Sequence, residues 1–379
     1  MATRVLSAPN FEQCVQEGHN AVSSAKRFGS GEDFIGECKK GSTCVCIVVD
    51  GHSGSEAAQH LASCAHGQIV DAINSLNHIL DSTSTHTLIK SEIENIMQQL
   101  DREMTPLIGG AVYAAYANYE CDRMNYTIPF YSGDAQIIIS NEENIYQSTP
   151  HVATLFPPNA EHDRVVSSGG SVIINTKNKN KSINDWYRDV LWTNIARDDG
   201  LRAHLQKHPA PWVRRAATVS PIDAAMVLQN WEREIPDTYI LDKQSGNSLA
   251  PSRSLGEGIK HISAEPEFMD VFCGQVAILI ASDGLFDVLQ GPRWVFCDLQ
   301  SPQERVKELV HQVSTKDCSP TAATNAIMQI AINGWREHHF MSVTVHADGF
   351  DRADDIAVHT NLLGCDTSHS LDKNHKCNL

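Results

Sequence analysis

Several acids in this sequence stand beside glycine at the tip of an apolar run: Asp50 in Val49-Asp50-Gly51, Asp134 in Gly133-Asp134, and Asp283 in Ser282-Asp283-Gly284. Asp354, with Asp355, precedes the apolar run that starts at Ile356, and Glu32-Asp33 follows Gly29-Ser30-Gly31. A single Asp-Gly is an ordinary turn; the recurrence is the informative feature. Were these tips to converge, the like charges would repel by several kcal/mol at close range in a partly dry site. Such a cluster is tolerable when a cation neutralises it, and otherwise carboxyls must hold protons. Oxygen donors without Cys or His at ligand spacing favour Mg²⁺ or Mn²⁺ over Zn²⁺ or Cu²⁺. Two such ions, about 3.5–4 Å apart, can activate a water for in-line attack on phosphorus.

The elements that must position these acids are legible in outline. Val45 to Val49 reads as a short strand ending abruptly at Asp50-Gly51-His52. Ala57, Ala58, Leu61, Ala65, Ile69 and Ile73 then recur at helical spacing, with Ser55 as the N-cap. Leu88 to Met104 reads as a second helix. Ala111–Tyr119, Tyr126–Tyr131 and Gln136–Ser140 read as strands, the last two split by the turn Ser132-Gly133-Asp134. Val276 to Ile280 is a buried strand running into Asp283, residues 302–332 are mainly helical with a break near Ser319-Pro320, and Ile356 to Leu362 is a last strand.

Composition narrows the function classes. The 379 residues carry a formal net charge of −16, which opposes sequence-independent nucleic-acid binding because that needs a basic surface. No apolar run has the length of a membrane helix, and Met1-Ala2-Thr3-Arg4 has neither a secretory pattern nor a myristoylation glycine. Eleven scattered cysteines without a Cys-x-x-Cys pair suit a reducing compartment. The expectation is a protein of the cytoplasm or nucleus that binds neither nucleic acid nor membrane. Gly51-His52-Ser53-Gly54-Ser55 misses the nucleophile-elbow spacing by one residue, and no P-loop lysine is present.

In order, the chain carries Gly31-Glu32-Asp33, Val49-Asp50-Gly51-His52-Ser53-Gly54, Gly133-Asp134, Ser252-Arg253-Ser254-Leu255-Gly256, Ile262 to Glu267, Ser282 to Leu289, and Asp354-Asp355-Ile356. This set resembles the type 2C protein phosphatases, the PPM family, over roughly residues 25–363. The resemblance implies an α+β fold, a four-layer αββα sandwich of two antiparallel sheets flanked by helices. It implies a metal-dependent protein serine/threonine phosphatase that holds two Mg²⁺ or Mn²⁺ ions and a weaker third. Asp50 would bridge two metals and the Gly51 carbonyl would contact one. Glu32, Asp283 and Asp354 would complete the shells, with Asp33 behind them, and Asp134 would join Asp283 in the third site. His52 would protonate the leaving seryl or threonyl oxygen. A metal-activated water would attack, with no covalent phosphoenzyme.

The departures from the family are specific. Its phosphate-binding arginine falls at Phe28 here, and Arg27, one residue earlier, is the candidate replacement. Ala135-Gln136 stands for the usual Ser-Arg, Glu257 for Asp, and Asp355 for Asn. These changes leave open an alternative: a pseudophosphatase acting as a regulatory binding protein. Residues 175–247, polar and carrying Trp186, Trp192, Trp212 and Trp231, read as an enlarged flap insertion that shapes substrate choice or meets a partner. The expected organisation is an N-terminal extension 1–24, a phosphatase domain 25–363 including that insertion, and a polar tail 364–379, acting as a monomer on phosphoproteins.

Overall fold

The computed structural model describes residues 11–15, 20–25, 31–76, 82–153, 159–176, 179–182, 238–241, 248–290, 302–345 and 355–363. The chain opens with β1 (Phe11–Val15), β2 (Asn20–Ala25), β3 (Phe34–Lys40) and β4 (Thr43–His52). Two long helices follow, α1 (Glu56–Leu76) and α2 (Ser82–Met104). Then come β5 (Gly110–Cys121), β6 (Met124–Ser132), β7 (Gln136–Ser140), β8 (Ile145–Gln147) and the short helix α3 (Ala160–Ser167). Small strands β9 (Ser171–Thr176), β10 (Lys179–Ser182), β11 (Thr238–Leu241), β12 (Ser248–Leu249), β13 (Glu267–Phe268) and β14 (Phe272–Cys273) lead to β15 (Val276–Ala281). The last elements are α4 (Asp283–Gln290), α5 (Pro302–Ser314), α6 (Pro320–Val345) and β16 (Ile356–Leu363).

Two sheets dominate, one ordered β13-β6-β5-β4-β3 and the other β1-β2-β16-β15-β7-β8, with antiparallel pairing throughout. The period-two alternation of a strand explains how they stack. In β4, Val45, Ile47 and Val49 pack with α1 and α2, whereas Cys46 and Val48 face the other sheet. Strand β15 mirrors this: Ala277, Leu279 and Ala281 pack under α4, α5 and α6, whereas Val276, Ile278 and Ile280 meet the first sheet. Central strands buried on both faces read as unbroken apolar runs, and the layers are helix, sheet, sheet, helix. Each fully buried Ile or Leu side chain in these layers contributes about 1.5–3 kcal/mol of hydrophobic stabilisation. The α+β sandwich expected from the sequence is the fold observed.

Three features go beyond the sequence reading. The segment set apart as an N-terminal extension supplies β1 and β2, which extend the second sheet because β2 pairs with β16. A third sheet, β10-β9-β11-β12, stands at the root of the insertion. There β9 pairs with β11, so the chain leaves and re-enters at neighbouring strands. Helix α3, capped by Asn159 accepting from the His162 N–H at 2.9 Å, lies just before it. Arg27, Asp354, the four insertion tryptophans and the tail 364–379 lie outside the described residues. Among the described residues, no helix is long and apolar enough to cross a membrane.

Candidate metal centre

Strand register explains why three distant acids meet. In the second sheet Ala281 of β15 pairs with Gln136 of β7. Continuing that antiparallel register by two residues sets Asp283 opposite Asp134. In the first sheet Asp50 pairs with Val112, and the neighbouring Tyr113 pairs with Ser132, so Gly133 follows on beside Val112. The link 133–135 is where the chain crosses from β6 in one sheet to β7 in the other. Asp134 therefore sits between an acid from each sheet. Ligand oxygens of Asp50, Asp134 and Asp283 all lie within 4.8 Å of one another, with Asp50 buried and the other two half-buried.

The surroundings hold this convergence in place. The Asp283 N–H, at the start of α4, donates to Asp50 Oδ2 at 3.3 Å, placing a carboxylate where a helix N-terminus favours negative charge. Ser282 fastens the end of β15 to β16: its N–H donates to the Ala357 carbonyl at 3.1 Å, and its Oγ accepts from the Ala357 N–H at 3.0 Å. Gly51 donates to the Glu32 carbonyl at 3.1 Å, and a Cβ on Gly51 would come within 2.7 Å of that same oxygen. Only glycine permits this approach. The Glu32 N–H in turn donates to Asp355 Oδ2 at 3.1 Å. Thus the Glu32-Asp33 segment is tied to Gly51 on one side and to the start of β16 on the other, with Asp33 buried beneath.

His52 stands at the end of β4. Its Nε2 lies 3.1 Å from Glu257 Oε1 and 3.0 Å from Ser254 Oγ. Its Nδ1 is buried without a hydrogen-bond partner among the described residues. Burial lowers the His52 pKa to about 4 and raises that of Glu257 to about 7, the latter opposed by the Ser254 hydrogen bond and reinforced by Asp101. Both charged forms are thus disfavoured by burial, and Nε2 and Oε1 face each other within hydrogen-bond distance. Asp101 Oδ1 accepts from the Gly256 N–H at 2.8 Å, which anchors the Ser254–Glu257 loop to α2.

In the sequence Glu257 stands out only as a departure from the family pattern, and nothing local marks the roles of Ser254, Asp101 or His151. Their signal is a contact made across the fold, with no local spacing to betray it. Of the expected site residues, Asp50, Asp134 and Asp283 are brought together, Glu32 and Asp33 flank Gly51, and His52 lies two residues beyond Asp50. Gln136, where the family carries arginine, is buried and accepts from Gln147 Nε2 at 3.0 Å.

Three clustered carboxylates with no sulfur or imidazole donor suit a hard divalent cation, so the donor set fits Mg²⁺ or Mn²⁺. A crystal structure of serine-threonine phosphatase 2C from Toxoplasma gondii matches 94% of this chain and 96% of its own, at TM-score 0.50 and 13% identity. The chain has the type 2C phosphatase fold. A sex determining protein of C. elegans matches 94% of this chain and 65% of its own at TM-score 0.49 and 15% identity. A serine/threonine phosphatase of S. agalactiae matches 93% and 98% at TM-score 0.43 and 14% identity. No protein-family model and no curated protein matches the chain. Within the type 2C fold, the acidic cluster lies where both sheets end together, at the Gly133-Asp134 crossing.

Proposed function

We propose that this chain is a metal-dependent protein serine/threonine phosphatase acting on phosphoproteins. The observation that carries the reading is the meeting of Asp50, Asp134 and Asp283 from separate strand ends at one point. A partly buried cluster of this kind is costly without a neutralising partner. Asp50, Asp134 and Asp283 would hold divalent cations, with the Gly51 carbonyl, Glu32 and Asp354 as further donors and Asp33 supporting them. Bound cations would offset the charge of the phosphate and lower the pKa of a water for attack.

The remaining work falls to the chain's own groups. His52, hydrogen-bonded to Glu257 and Ser254, delivers a proton to the seryl or threonyl oxygen as it leaves. Glu257 holds the ring through Nε2 and supplies the proton reserve of the pair. Arg27 is the candidate for the phosphate clamp. The flap expected at residues 175–247, most of which lie outside the described residues, would select among phosphoproteins, and deletion without change in substrate preference would contradict that role.

A second reading, a binding protein without turnover, is favoured by one observation: Gln136 spends its side chain on Gln147 inside the fold. Phosphate release from a phosphothreonine peptide separates the two. Release that needs Mn²⁺ or Mg²⁺ and stops with EDTA supports the enzyme; none from folded, Mn²⁺-loaded protein supports the binding protein.

A further inference from the structure

The turn that carries Asp134 begins at a glycine. Gly133 sits at φ +88°, and a Cβ there would run into the Val112 side chain, so the residue is confined to glycine and contributes no side-chain contact of its own. The brace comes from His151. The Gly133 N–H donates to His151 Nδ1 at 3.1 Å, and the His151 N–H donates to the Gly133 carbonyl at 2.7 Å. One residue thus satisfies both backbone polar groups of Gly133.

The imidazole is itself held on every side. With Nδ1 accepting, Nε2 carries the hydrogen, and Nε2 lies 2.9 Å from Glu267 Oε2. The ring stacks on Tyr131 at an interplanar angle of 3° with centroids 4.6 Å apart, and Tyr131 Oη donates to Glu267 Oε1 at 2.8 Å. Arg253 lies 3.5 Å from Glu267 and pairs at 2.7 Å with Glu161 of α3. The side chain of His151 is 4% exposed, so the ring has no room to swing. A packing histidine would need only its ring; here both nitrogens are committed, and the accepting one faces the turn.

We propose that His151 is a positioning residue for the metal centre: by holding the Gly133 amide it fixes where the Asp134 carboxylate stands beside Asp50 and Asp283. The proposal rests on the reading of that cluster as a cation site. Residues that orient ligands from behind typically change metal affinity about 10–100-fold when replaced, without touching the ion or the substrate.

Two variants of the full chain test this. His151→Phe keeps a stacking ring and removes the acceptor; His151→Asn returns an oxygen acceptor near the position of Nδ1. Amide exchange at Gly133 is measured in EDTA, and Mn²⁺ binding is measured separately by electron paramagnetic resonance. The expected result is faster Gly133 exchange and about tenfold or greater loss of Mn²⁺ affinity at the weakest site in the Phe variant, with both largely restored in the Asn variant. Should the Phe variant fail to fold, His151→Gln, whose amide reaches toward Glu267 in place of Nε2, takes its place with the same expectation. Wild-type Mn²⁺ affinity in the Phe or Gln variant would overturn the proposal, as would equal losses in the Phe and Asn variants. Wild-type protein that binds no Mn²⁺ overturns the cation site and the proposal with it. Gly133 exchange, read without metal, distinguishes that failure from failure of the brace.

Discussion

The Asp283 N–H meets Asp50 Oδ2 at 3.3 Å, and through this bond the first turn of a helix on one sheet touches the end of a strand on the other. Everything proposed for the site follows from that junction. The two sheets end together, the chain crosses between them at Gly133-Asp134, and three carboxylates are left facing one another.

Their mutual repulsion gives a first prediction. In EDTA, Asp134→Asn removes one like charge while keeping side-chain shape, and we expect a gain on the order of 1 kcal/mol. Melting of metal-free protein should rise by about 1–2 °C. With Mn²⁺ added the order should reverse, because wild type gains binding free energy that the variant has partly lost. A variant less stable than wild type in EDTA would show that repulsion among the three acids does not govern this corner of the fold.

The Gly133 turn predicts a backbone effect. Gly133→Ala forces a Cβ into Val112 at a positive φ, and the loss should exceed about 2 kcal/mol in denaturant unfolding. Val112→Ala should relieve the clash and recover part of the loss. It should not recover the share due to φ.

The His52–Glu257 pair predicts a kinetic one. Glu257→Ala and Glu257→Gln should lower kcat by roughly 10²-fold with little change in KM, since proton transfer typically contributes about 10²–10⁴-fold. Ser254→Ala, which removes the second contact to Nε2, should cost less. Steady-state kinetics on a phosphothreonine peptide would check both, and a loss confined to KM would contradict the assignment.

Acid stability carries a prediction away from the site. Although burial alone would raise it, hydrogen bonds from Arg253 and Ser252 bring the Glu161 pKa down to about 2 from 4.5. A depressed carboxyl stabilises the fold fully above its unfolded value, and that contribution is lost as pH falls from about 4.5 through about 2. The difference corresponds to about 3 kcal/mol. Unfolding by urea across that window should therefore show a steeper decline in wild type than in Glu161→Gln.

Much of this was legible from local pattern. An apolar run closed by Asp-Gly is a strand end carrying an acid, so Asp50 and Asp283 could be read directly, and the spacing of Ala57, Leu61, Ala65 and Ile69 gave α1. What the sequence withheld were contacts made at long range. His151 follows Pro150 in a connection, with nothing in its neighbours to point at Gly133 or Glu267. Strands β1 and β2 lack clean alternation, and β2 finds its partner in β16 at the other end of the chain. The Glu257 substitution was visible, yet its meaning depended on where His52 Nε2 lay.

The most direct test measures phosphate release from a phosphothreonine peptide by wild type and Asp283→Ala, each with Mn²⁺ and with EDTA, alongside the Mn²⁺ bound. The account predicts turnover by wild type alone, only with metal, and weaker Mn²⁺ binding by the variant. Equal metal-independent turnover in both proteins, or none from folded wild type with Mn²⁺ bound, would contradict it.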